Sequence, residues 1–174
     1  MTLDSLITAV VTWTQEHHAW APALAFAFAF GESLVILSLV VPGSVVLAAV
    51  GALIGAGGLE LWPVWLGAAS GAIVGGWISY QIGDHYEERV VHVWPFSRYP
   101  DKMAAAHRFF ERWGSWSVFL TRFLGPLHGV GPLAAGAFGT PRLLFHVSNV
   151  ASAMLWAFLV LAPAATAVRR IMPV

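Results

Sequence analysis

Two apolar runs, Leu61–Ile82 and Leu143–Val168, contain no Asp, Glu, Lys or Arg. A helix needs roughly 20 predominantly apolar residues to cross the hydrocarbon core of a bilayer, and both runs reach that length. At that depth no water satisfies backbone N–H and C=O groups, so the chain is restricted to helices or a closed barrel. Runs this long fit helices. Composition agrees, with 58% of residues hydrophobic and 10% charged, against about 25% charged in soluble domains. The expectation is an all-α integral membrane protein in which residues 1–174 form a single membrane domain.

Other classes fall away on composition. Nine Lys+Arg balance nine Asp+Glu, and no basic patch points to nucleic acid. The chain has no cysteine, which removes disulfides, thiolate chemistry and Cys-ligated metals. His85, His92, His107 and the His17–His18 pair lack metal-ligand spacing, so neither a metal nor a cofactor is expected. No nucleophile elbow, phosphate loop or HExxH motif occurs, so an enzyme is not expected. The N-terminus "MTLDSLITAVVTW" lacks the basic start and cleavage site of a signal peptide and is expected to be retained.

Two further apolar regions are interrupted. Residues 20–58 carry Pro42–Gly43, and residues 117–140 carry Gly125, Pro126 and Pro132. Proline removes a backbone donor and glycine tolerates unusual dihedrals. Each region therefore reads as a helix, a break at depth and a short return. Such breaks survive only where protein or water satisfies the freed backbone groups. Glu32 precedes Pro42 by ten residues as Arg122 precedes Pro132, and "LAAVG" and "LAAG" follow the respective prolines. That echo suits the inverted repeats of transporters, whose broken helices meet around the substrate.

The remaining segments read as surface-lying. Residues 3–18 suggest a short interfacial helix, and residues 84–116 an amphipathic connector with Trp94, Trp113 and Trp116 at interfacial depth. Five Lys+Arg in that connector, against two at the C-terminus and none before residue 20, place it on the cytoplasmic side. In the spanning segment 61–82, Gly67, Gly71 and Gly75 form a flat face for close helix packing. Tyr80 and Asp84 are expected at the membrane interface, and the second spanning segment covers 143–168.

Glu32 and Arg122 are the charged residues flanked by apolar sequence on both sides. A charge at the bilayer centre costs about 2.5–3.5 kcal/mol on insertion scales, so the two either neutralise each other or serve transport. Arginine presents a planar fork that matches phosphate or carboxylate, and helix N-termini opened by the breaks offer further N–H donors. A glutamate at depth suits proton coupling. His128 is neutral or charged near pH 7; it either assists Arg122 or is satisfied by carbonyls that the break frees. Asn149, with Ser148 and Ser152 nearby, suits interhelical hydrogen bonding.

These residues in order carry a resemblance: Glu32, "VPGS" at 41–44, "YQIGD" at 80–84, "FLTRFLGPLHGVGPLAAG" at 119–136, then Phe145, Asn149 and Trp156. The chain resembles the DedA family, which shares the SNARE-associated Golgi protein or VTT domain. The resemblance implies two opposed re-entrant helical hairpins packed with spanning helices and interfacial amphipathic helices, in a bacterial inner (cytoplasmic) membrane. It implies lipid transport of the flippase or scramblase type, with undecaprenyl phosphate or phospholipid as substrate and the proton-motive force involved. Glu32 matches the family glutamate (proton coupling) and Arg122 the first arginine (substrate binding). Three departures stand out. Ser44 replaces the acid after Pro-Gly, His128 replaces the second arginine, and the proline expected three residues after Arg122 comes one later, as Pro126.

The substrate-binding candidates are thus Arg122, His128 and Ser44, with Glu32 for protons and Asn149 and Trp156 in support. The hairpin breaks are Pro42, Gly43, Gly125, Pro126 and Pro132. Expected partners are membrane lipids, protons and a second copy of the chain. The alternatives are a proton-coupled carrier for a small solute or cation, and a non-transporting membrane scaffold.

Overall fold

The computed structural model describes residues 12, 16, 18–34, 43–56, 59–86, 89, 100–124 and 128–171. The expected breaks at Pro42, Gly125 and Pro126 lie outside these residues, as do nearly all of the 3–18 segment and most of 87–99. The described residues form helices and contain no strand. After a 3-10 turn, His18–Trp20, come α1 (Ala21–Glu32), α2 (Gly43–Gly55), α3 (Leu61–Tyr86), α4 (Pro100–Trp113), α5 (Ser115–Thr121), α6 (Val130–Ala137) and α7 (Arg142–Ile171).

Length divides these helices into two kinds. At 1.5 Å per residue, the 26 residues of α3 and the 30 of α7 extend about 39 and 45 Å. Both are long and apolar enough to cross a membrane. The 12 residues of α1 and 13 of α2 reach only about 18–20 Å. Both long helices outrun the apolar runs that announce them. Asp84 continues α3 past Ile82 and pairs with Arg142 at 2.9 Å, which opens α7. The outward faces carry Trp62, Leu66 and Trp77 on α3 and Leu143, Val147, Phe158 and Leu159 on α7, all exposed. Apolar surface this continuous is unusual on a soluble monomer and suits lipid.

Packing fixes the directions of the helices. A Cβ on Gly67 or Gly71 of α3 would fall on the carbonyl oxygen of Pro22 or Phe26, and one on Gly75 would lie 2.7 Å from that of Phe30. α1 therefore lies backbone-to-backbone along the glycine face, parallel to α3, and Ser79 donates to the Ser33 carbonyl at 2.9 Å. α7 runs antiparallel to α3, since Trp65 bonds the Met154 carbonyl and Asn149 the Ile73 carbonyl. Gly51 and Gly55 of α2 abut Leu161 and Ala165 of α7, in parallel. Hence α1 and α2 are antiparallel, with both outer ends beside the start of α3.

The second interrupted segment enters from the opposite end. Gly83 of α3 abuts the Leu133 carbonyl of α6, Gly136 abuts that of Tyr80, and Phe110 of α4 covers Phe138 at 5.7 Å. Tyr80 is buried against protein. It is 1% exposed, stacks on Phe145 at 4.1 Å and donates to the Thr140 carbonyl at 2.7 Å. A buried phenol needs such a partner, and the turn at Gly139, whose φ is +70°, supplies it.

Two apolar clusters result, one of Ala25, Ala29, Leu47, Ala72, Ala157 and Leu161 among others, the second around Tyr80, Val118, Ala135 and Phe145. Between them lies a buried polar layer.

Candidate functional site

The polar layer forms where the inner ends of the two interrupted segments meet. Ser33, just past the end of α1, bonds back to the Ala29 carbonyl through both its N–H (3.1 Å) and its hydroxyl (2.9 Å). Its oxygen also lies 3.4 Å from His128 Nε2. His128 Nδ1 in turn donates to the carbonyl of Arg122 at 3.1 Å, one of the acceptors left unpaired where a helix ends. The ring is 5% exposed, and Trp156 meets it edge-on at 4.9 Å. Both ring nitrogens thus face protein atoms, and His128 links one segment end to the other.

Arg122 caps the C-terminus of α5 and is 3% exposed. Its Nε donates to Ser152 Oγ at 3.0 Å and its Nη2 to Asn149 Oδ1 at 2.5 Å. Nη1 is buried with no partner among the described residues. Among the described residues no carboxylate comes within 4 Å of this guanidinium; the ion pairs there are Arg142–Asp84 and the exposed His107–Glu111. Burying an unpaired ion costs several kcal/mol even after relaxation. Two hydrogen bonds to a charged donor return about 1.5–3 kcal/mol each. The cation is thus oriented by neutral oxygens, Ser152 Oγ and Asn149 Oδ1.

Glu32 closes α1, and among the described residues no ion pair joins it to Arg122. Its Oε1 accepts a short hydrogen bond from the hydroxyl of Ser44, in the first turn of α2. Its Oε2 is buried without a partner among the described residues. Serine at position 44 therefore supplies a donor where a second acid would have opposed Glu32. Gly43 begins α2, and Pro132 lies in the first turn of α6.

Of the residues singled out in the sequence, Arg122, His128, Asn149 and Trp156 converge here, and Glu32 and Ser44 join at the tip of the first segment. Ser33 and Gly76 were not legible as part of the site. A Cβ on Gly76 would stand 2.5 Å from Asn149 Oδ1, so the glycine makes room for the amide. Asn149 and Ser152, three apart on one helix, share a face. That spacing was a readable sign that the two act on one partner.

The VTT domain family matches residues 41–165. The inner membrane protein YabI of Escherichia coli is 32% identical over 129 residues, covering 74% of this chain and 50% of YabI. An uncharacterized membrane protein of Mycobacterium tuberculosis, Rv2637, is 36% identical over 128 residues, covering 70% and 58%. Protein DedA of Escherichia coli is 28% identical over 151 residues, covering 83% and 67%. The chain spans about half the length of relatives such as YabI. No solved structure is a significant match.

Proposed function

The chain belongs to the VTT domain (DedA) family of membrane proteins, and from that premise we propose that it is a multi-pass inner-membrane transporter of anionic lipid. α3 and α7 span the bilayer. The α1–α2 and α5–α6 segments are re-entrant from opposite faces, and their inner ends form the substrate site. The observation that supports this reading is the buried, unpaired Nη1 of Arg122, since intramembrane charges are functional by default.

The phosphate of a lipid such as undecaprenyl phosphate docks on Nη1, while the polyprenyl tail stays among the apolar outer faces. His128 holds the carbonyl of Arg122, and its Nε2 reaches the phosphate when it leaves Ser33. Ser44 holds Glu32, which takes up or releases a proton as the headgroup leaves. Vesicles containing the purified protein and labelled polyprenyl phosphate or labelled phospholipid, run in parallel, test the reading. Protein-dependent movement of the polyprenyl phosphate is expected, and movement of neither lipid refutes it.

A second reading, a proton-coupled carrier of a small solute or cation, draws on the unpartnered Oε2 of Glu32. Its signature is solute-dependent proton flux in the same vesicles without lipid movement.

A further inference from the structure

Asn149 is 0% exposed, and both ends of its amide are engaged. Oδ1 accepts from Arg122 at 2.5 Å, and Nδ2 donates to the Ile73 carbonyl of α3 at 3.0 Å. A simple interhelical hydrogen bond would account for the second contact alone. The first sets which donors of the guanidinium remain open. Arginine carries five N–H groups in a rigid plane. Ser152 takes the one on Nε and Asn149 one on Nη2, so rotation of the plane is blocked and, among the described residues, both N–H groups of Nη1 are left without a partner.

The amide also solves a charge problem. An aspartate at position 149 would offer Arg122 an equally good acceptor but neutralise it, and a closed ion pair has little attraction left for a third charge. An amide holds the cation in place and leaves its charge intact. Fixing it costs the chain a side chain at position 76, where only glycine clears Oδ1. The Ile73 bond then makes the orientation of Arg122, on α5, depend on the register of α3 against α7.

We infer that Asn149 is the positioning residue of the anion site: its neutral amide presents Nη1 of Arg122 to a phosphate group while leaving the guanidinium charge unspent. This rests on the reading that Arg122 receives an anionic headgroup. Other groups facing Arg122 fit the assignment. Ser152 is neutral, His128 contacts the Arg122 backbone, and among the described residues Glu32 forms no ion pair with it.

The test is equilibrium binding of fluorescent polyprenyl phosphate to the full chain in detergent, with vesicle translocation measured alongside. Asn149→Asp keeps the acceptor for Arg122 but sets a carboxylate oxygen against the Ile73 carbonyl; it is expected to raise the half-saturating concentration at least about tenfold, with a lowered melting midpoint. Should that variant fail to fold, Ser152→Ala, which frees Nε alone, carries the test with a smaller loss of affinity in the same direction. A purely structural role would lower the melting midpoint of either variant and leave its affinity unchanged, which overturns the inference. Wild-type affinity in Asn149→Asp overturns it while leaving the transport reading intact. Binding by the wild type without translocation, abolished by Asn149→Asp, supports the inference and sinks the transport reading. Absence of binding by the wild type sinks both.

Discussion

Replacing Gly76 by alanine adds one methyl group at the point where α3 meets the amide that holds Arg122. The new Cβ would stand 2.5 Å from Asn149 Oδ1 and 3.2 Å from its Cγ and Nδ2. The amide can withdraw, because it is the end of a side chain. A withdrawal on the order of 1 Å restores an ordinary contact but strains the 2.5 Å bond from Arg122 and the 3.0 Å bond to Ile73. The first is a hydrogen bond to a charged group, worth about 1.5–3 kcal/mol. If that energy is lost where the lipid phosphate must be held, transport falls about tenfold or more, at 1.36 kcal/mol per decade of rate. The assay is initial-rate translocation in vesicles, with thermal unfolding followed in detergent. A variant that moves lipid at the wild-type rate would show that the orientation of Arg122 does not depend on this amide, and the reasoning would fail.

Gly71→Ala is the counterpart. Its Cβ lands on the Phe26 carbonyl, a backbone atom that cannot withdraw, so α1 and α3 must separate at a cost of about 1–3 kcal/mol, read as a lowered unfolding midpoint. An unchanged midpoint would mean the helices are not in backbone contact. Ser33→Ala removes the hydroxyl between Ala29 and His128 and is expected to cost about 0.5–1.5 kcal/mol in the same unfolding assay; no loss would mean the two segment ends are not joined there. Ser44→Asp places a second carboxylate beside Glu32, and two such groups share a proton rather than both ionise. Transport should therefore acquire a pH-dependent limb absent from the wild type, and superimposable pH profiles would contradict the Ser44–Glu32 contact.

The long helices and their glycine face were legible because hydropathy and spacing are local properties. Gly67, Gly71 and Gly75 recur every four residues, a spacing that announces close packing by itself, although α2 separates them in the chain from α1, the helix that packs on them. The ends were less legible. Asp84 looks like a stop after an apolar run, yet its pairing with Arg142, 58 residues away, carries α3 on to Tyr86. Tyr80 near a helix end suggested an interface, and only the Phe145 ring and Thr140 carbonyl explain its burial. The site itself was half readable. Arg122 announced itself as a cation in apolar sequence, but its partners sit 27 and 30 residues away on α7. No periodicity links an interrupted segment to a later helix, so that convergence is a tertiary fact. The same limit hid Gly76, which reads as one more small residue until the asparagine opposite it is in place.

Lipid transport as proposed requires that the open N–H groups of Arg122 receive the anionic headgroup. The most direct measurement compares wild type with Arg122→Gln, a neutral side chain whose amide ends at the level of Nε, in vesicles carrying labelled polyprenyl phosphate and a labelled uncharged lipid together. With both proteins folded by unfolding assay, the account predicts that the wild type moves the phosphate-bearing lipid and Arg122→Gln does not. Equal movement of that lipid by the two proteins would contradict it.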